Sequence, residues 1–290
     1  MPSRRLAPLL AVLALLTAAA GCGGSGSAGD GEPGAGAREP GADRPPVTLG
    51  TRTSSEQILL GQLYKQALEA QGFTVALKQN IGSAQIADEA LRRGQIDLYP
   101  EDAEIGGGAE EQGFVRLAPT PFSNVQALAV LPQLARAHGL RAVGDLARIE
   151  APRLGAQPEF LTDAPGLPDL ERVYGLREVA FAPLTIGLQY DALEHGKLDV
   201  AVVSTTDGEL QDGRFVVLAD PRGLFGARHV APIVSARVLA AEGPAFARTL
   251  DAVSRALTTP AMRELNAAVA IEGRSPADAA AEFLRDADLA

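Results

Sequence analysis

Three acids within four residues, Glu101, Asp102 and Glu104, follow the short apolar stretch Leu98-Tyr99 and Pro100 in the run DLYPEDAEIG. Carboxylates so placed suit the floor of a site that grips a cationic ligand. They suit a solvated turn equally well, and spacing alone leaves both readings open. The histidines at 138, 195 and 229 show no metal-ligand spacing, and His138 and His195 precede helix-stopping glycines, which places them at the surface. No nucleophile elbow, HExxH or phosphate loop follows the N-terminal tract. The expectation is therefore no metal, no cofactor and no enzyme activity.

The elements that must position these groups alternate from Val47 onward. VTLG reads as a short strand, and Ser54-Ser55 can cap a helix with Ile58, Leu59, Leu63, Ala67 and Leu68 at helical spacing. FTVAL is the next strand, and SAQIADEALRR a helix stopped by Gly94. This order predicts α/β units around a largely parallel sheet. ALRRGQIDLY at 90–99 has a counterpart in ALEHGKLDVA at 192–201, each a helix end, a glycine and a strand opening hydrophobic-Asp-hydrophobic. The common Ala-Leu and Gly elements also allow coincidence. A true repeat means two similar α/β halves whose equivalent strands end at Asp102 and Ser204. Ligands of open α/β sheets bind beyond such strand ends, so two halves would aim equivalent loops at one cleft.

The N-terminus carries Arg4-Arg5, an apolar run from Leu6 to Ala20, and AAAGC ending at Cys22, the single cysteine. This pattern is a secretory signal over 1–21 with Cys22 as the lipidated residue of a bacterial lipobox; the other reading is an ordinary signal with a chance cysteine. The apolar run is shorter than the roughly 20 residues that span a bilayer core. Residues 22–46, rich in Gly, Ser, Ala and Pro, read as a flexible tether. The formal charge of −10 shifts to about −12 when Arg4 and Arg5 leave with the signal, so no basic surface for nucleic acid is expected. A lone cysteine leaves no intramolecular disulfide, and the fold must rest on its cores.

Several stretches together resemble the substrate-binding proteins of osmoprotectant ABC importers, the glycine betaine, carnitine and choline binding family. They include GTRTSSEQILLGQLYKQALEAQGFTV, ALRRGQIDLYPE, PTPFSNVQALAV, PEFLT, VYGL, STTDGEL, HVAPIV and LTTPAMRELNAAVAIEGRSPADAAAEFL, in the family's order from Val47 to Leu284. The resemblance implies a two-lobed, type II-like periplasmic-binding-protein fold with a ligand cleft between the lobes. Crossovers would lie near Phe122–Gln126 and Gly223–Val230, giving one lobe from 47–122 plus 229–290 and another from 123–228. It also implies a monomer, anchored outside the cytoplasm by lipid, that delivers a small solute to permease and ATPase subunits through lobe closure. The alternative is a lobe-closing sensor or partner-binding protein without a transport role.

In that family a quaternary ammonium sits among aromatic rings. The four matching positions here carry Asp102 in PEDAE, Gln126 in FSNVQALAV, Ser204 in STTDG and Arg228 in RHVAP, so every ring is replaced. A shortened, Gly-rich link also replaces the family's longer segment before PTPF. The resemblance thus marks Asp102, Gln126, Ser204 and Arg228 as ligand contacts. His229, Gln57, Asn124 and Thr205 join them, with Asn80, Gln85, Thr206 and Asp207 as secondary candidates. The ligand implied by this polar set is a small hydrogen-bonding solute, zwitterionic above all, unless Asp102 and Arg228 simply pair with each other. Glu104 is assigned to the solvated turn.

Overall fold

The computed structural model describes residues 38–103 and 113–290. The signal segment, Cys22, most of the tether and Glu104 lie outside the described residues.

The first lobe begins β1 (Val47–Gly50), α1 (Ser55–Glu69), β2 (Val75–Lys78), α2 (Ala84–Arg92), β3 (Leu98–Asp102) and β4 (Phe114–Arg116). Ser54 caps α1 by accepting from the Gln57 N–H at 3.3 Å. Gly94 takes a left-handed conformation after α2 (φ 66°), which reverses the chain into β3. The chain then crosses to the second lobe with β5 (Gln126–Val130), α3 (Pro132–His138), β6 (Arg153–Ala156), α4 (Leu167–Tyr174), β7 (Ala180–Pro183), α5 (Gln189–Glu194), β8 (Val200–Ser204) and β9 (Val216–Val217). It returns through β10 (Val230–Ser235), and α6 (Ala236–Glu242), α7 (Pro244–Ala256), α8 (Thr259–Ala270) and α9 (Pro276–Asp286) complete the first lobe.

The two sheets have the orders β2-β1-β3-β10-β4 and β7-β6-β8-β5-β9. In each, four strands share one direction and the strand arriving from the other lobe, set between two of them, runs against them. The expected largely parallel sheet is therefore mixed. A strand that enters from the opposite lobe starts at the cleft, where the parallel strands end, so it must run against them.

In the acidic run the strand passes Pro100 and continues through Glu101 to Asp102, the end expected from the repeat, and both acids are buried rather than set in a solvated turn. Pro100 faces Pro232 across the β3–β10 ladder, and the Pro232 carbonyl accepts from Leu117 on its other side. The two missing donors thus share a rung where an antiparallel ladder needs none.

Apolar clusters cover both faces of each sheet. A large one joins β1 and β3 to α1, α7, α8 and α9, with Phe73 and Phe246 edge to face at 5.4 Å. A small one lies under α2. The second lobe divides its apolar mass more evenly between two clusters.

Candidate functional site: the interlobe cleft

The crossovers lie side by side. Ser123 and His229 form an isolated antiparallel bridge, the Asn124 N–H donates to the Arg228 carbonyl at 2.9 Å, and the Arg228 N–H donates to Ser123 Oγ at 2.7 Å. Beside them opens a cavity of about 610 Å³ whose lining comes from the second lobe and the crossovers. Its volume suits a small solute.

Asn124, Gln126, Ser204 and Arg228 of the expected set line this cavity, as does Asp207. Gln126 and Ser204 sit opposite each other at the cleft end of the β5–β8 pair. Ser204 Oγ donates to Asn124 Oδ1 at 2.5 Å, and its backbone N–H donates to Asp207 Oδ2 at 2.9 Å. Asp207 also accepts from Tyr190 at 2.6 Å; burial first, and then the charge and hydrogen bond of Asp207, push the phenol pKa upward.

Asp102 lies just outside the lining and pairs with Arg228, whose Nε is 2.9 Å from Asp102 Oδ2. The Asp102 side chain is 7% exposed and that of Arg228 63%, so the pair joins a buried carboxylate to a guanidinium reaching into the cleft. The mutual pairing weighed from the sequence is the arrangement present.

Thr205, His229 and Gln57 do not line the cavity. Thr205 Oγ1 donates to the Ser123 carbonyl and accepts from the Val125 N–H, tying β8 to the crossover. His229 Nδ1 sits 3.0 and 2.9 Å from the carbonyls of Thr120 and Phe122 and therefore donates there. Gln57 is buried in the first turn of α1. His138 and His195 are exposed.

A polar chain connects the lobes through this region. Glu56 accepts from Asn124 Nδ2 at 2.8 Å and from Asn266 Nδ2 at 3.0 Å, and Asn266 also donates to the Thr206 carbonyl at 2.8 Å. Arg263 Nε donates to the Thr205 carbonyl at 2.8 Å. Gly208 packs so closely on α8 that a Cβ there would sit 2.6 Å from the backbone of Ala267. Side-chain growth at that glycine would push α8 away, since backbone cannot yield as a flexible side chain can.

Sequence reasoning missed Gln157, Glu159, Asp163, Thr185 and Gln189, all in the lining. The signal was available: Gln157 directly follows β6 and Thr185 stands two residues beyond β7. Among the described residues no group of three or more His, Cys, Asp or Glu could hold a metal, and no helix is long and apolar enough to cross a membrane.

Residues 45–286 match the family model OpuAC, described as the substrate binding domain of ABC-type glycine betaine transport systems. The chain belongs to this family. It is 31% identical over 276 residues to the glycine-betaine-binding protein of Pseudomonas aeruginosa, covering 84% of this chain and 88% of that one. It is 27% identical over 277 residues to the glycine betaine-binding protein YehZ of Escherichia coli, covering 83% and 90%. Among solved structures, apo YehZ from the same organism matches with a TM-score of 0.72 at 25% identity, covering 84% of this chain and 99% of that one. A structure titled as a glycine betaine/carnitine/choline ABC transporter matches with a TM-score of 0.77 at 23% identity and the same coverage, a likeness of fold. The chain is thus an OpuAC-type substrate-binding protein of ABC transport and not an enzyme.

Proposed function

We propose that this substrate-binding protein captures a small polar solute, zwitterionic above all, in place of a ligand caged by aromatic rings. The observation that carries the reading is that the four positions matched to the family's rings hold Asp102, Gln126, Ser204 and Arg228, three of which line one cavity while the fourth pairs with Arg228. A trimethylammonium cannot donate hydrogen bonds and gains about 0.5–2 kcal/mol from each ring it faces, so loss of the rings removes its principal hold. A solute with separated charges finds Arg228 for its carboxylate and Asp102 for its cationic end once the two part. The lobes divide near 122/123 and 228/229, and closing them over the solute is the motion offered to permease and ATPase subunits. The protein works outside the cytoplasm as a monomer, held to the membrane by lipid on Cys22.

A thermal-shift screen of betaines, amino acids, polyamines and polyols tests the reading, because a ligand at 100 times its Kd stabilises by about 2.7 kcal/mol. A polar solute without methylated nitrogen should give the largest shift. Micromolar binding of glycine betaine in calorimetry, unchanged by Asp102→Ala and Arg228→Ala, would overturn it.

A further inference from the structure

Glu56 stands in the first turn of α1, half-buried and off the cavity lining, and side-chain amides engage both of its oxygens. Oε1 accepts from Asn124 Nδ2 at 2.8 Å and Oε2 from Asn266 Nδ2 at 3.0 Å, while the same Asn266 nitrogen donates to the Thr206 carbonyl at 2.8 Å. A carboxylate and a carbonyl only accept, so they fix which end of each amide faces them. Asn124 therefore turns Oδ1 away from Glu56 and toward Ser204 Oγ at 2.5 Å, and the hydroxyl spends its one proton there. Thr206 Oγ1, in a residue 2% exposed, lies 3.3 Å from the same Ser204 Oγ. With the Ser204 proton committed, Thr206 is the donor of that pair.

Asn124 and Ser204 both line the cavity, whereas Glu56 and Thr206 do not. A hydroxyl has one hydrogen and two lone pairs, so Ser204, donating to Asn124 and accepting from Thr206, keeps a single lone pair for the cavity. Resting on the reading of a polar solute, we propose that Glu56 is a positioning residue of the solute site. From the first lobe it fixes Asn124, and through Asn124 it makes the Ser204 hydroxyl an acceptor. The solute group that meets Ser204 must then bring a hydrogen, whereas a serine without this chain would rotate to offer either sense.

Glu56→Gln reverses that sense with almost no change of shape. The new amide has one accepting and one donating end, and Asn266, held between position 56 and the Thr206 carbonyl, takes the accepting end. The donating end faces Asn124, whose amide turns over, gives Nδ2 to Ser204 and releases the hydroxyl proton. Adding Asn124→Asp exchanges acid and amide between the two positions and restores an acceptor for that proton.

NMR of the isotope-labelled whole chain, without solute, reads the proton order directly. The side-chain amide of Asn124 is recognised by its loss in Asn124→Asp. Glu56→Gln should shift its N–H protons, whereas Ser204→Ala should shift its carbonyl carbon and leave those protons in place. Any other pattern overturns the inference and leaves the polar-solute reading standing, since no solute takes part. Calorimetry then tests the site with glycine, 1,4-diaminobutane and sorbitol, which carry N–H or O–H donors, and with glycine betaine, which carries none. The donor-bearing probe that the native chain binds best should lose about tenfold in Glu56→Gln, the cost of one unmet hydrogen bond, and regain it in the double variant. Glycine betaine should lose nothing. An order of the four probes unchanged by Glu56→Gln, binding of none included, overturns the inference. Micromolar binding of glycine betaine, untouched by Asp102→Ala and Arg228→Ala, sinks the polar-solute reading even where the NMR pattern holds.

Discussion

The two lobes repeat one device at the start of their sheets, and they differ in what is built around it. Asp97 accepts from the Thr48 N–H at 2.8 Å, and Asp199 accepts from the Arg153 N–H at 2.9 Å. Each aspartate follows an apolar residue, Ile96 or Leu198, whose side chain fills the space left by a glycine, Gly50 or Gly155. The third wall of that space is also equivalent: Ile81 in one lobe, Leu184 in the other. Even the glycines ending the preceding helices agree, with φ of 66° at Gly94 and 64° at Gly196. Around this shared frame the first lobe gathers α7, α8 and α9 into one large apolar cluster, while the second keeps two smaller ones. Equivalent strands then end at Asp102, which is buried and ion-paired, and at Ser204, which lines the cavity. The frame is common property, and the cleft is made specific by what each lobe adds at its strand ends.

The largest expected effect tests the difference in cores. Leu250 and Leu193 are both fully buried, the first in the large cluster and the second on the six-residue helix α5. Leu250→Ala should cost about 4–5 kcal/mol because helices on several sides cannot collapse into the gap, whereas Leu193→Ala should cost about 2–3 kcal/mol. Urea denaturation measures both, and equal losses would show that the two cores are alike in rigidity.

Next comes the shared frame. Removing the carboxylate in Asp97→Ala or Asp199→Ala should cost about 1.5–3 kcal/mol, the range for hydrogen bonds to charged groups. Asp97 should give the larger loss, because its side chain is 14% exposed against 22% for Asp199. The same denaturation experiment checks the order, and a negligible loss at either site would break the equivalence between the lobes.

Much of this frame was legible in the sequence. The paired segments around Asp97 and Asp199 stand at equal offset, and caps such as Ser54 and stops such as Gly94 announce the helix ends. The glycines of β1 and β6 stand in plain view, yet their common role appears only when Ile96 and Leu198 are seen filling the space beside them. The site was less legible for two reasons. The repeat puts the strand end at Asp102, but only the placement of Pro100 opposite Pro232 shows how β3 carries Glu101 and Asp102 into a buried ladder. Gln157 could have been found from its place directly after β6, but Glu159 and Asp163 lie farther along the segment that follows, whose position depends on the long-range pairing of β6 with β8. Thr205 and His229 show the reverse error of emphasis: adjacent in sequence to lining residues, they spend their hydrogen bonds on the crossovers.

The smallest expected effect concerns charge: Asp97 has a cation 3.6 Å away in Arg237, whereas Asp199 is held at 2.7 Å by Arg153. Arg153 grips Asp199 with Nε at 2.9 Å and Nη2 at 2.7 Å, and this hydrogen bonding holds the Asp199 pKa below its ordinary value. A carboxylate with a depressed folded pKa binds its proton more readily in the unfolded chain. Its contribution is therefore complete above the unfolded value near 3.9 and lost as pH falls through the folded one. With the Arg153 side chain 46% exposed, solvent screening limits the contribution to under about 1 kcal/mol. The stability curves of the native chain and Arg153→Gln should thus stand apart at pH 7 and converge toward pH 3. A gap that stays constant over that range would mean that Arg153 acts through packing of its aliphatic stem rather than through charge, and the second lobe's version of the device would then differ from the first in kind as well as in setting.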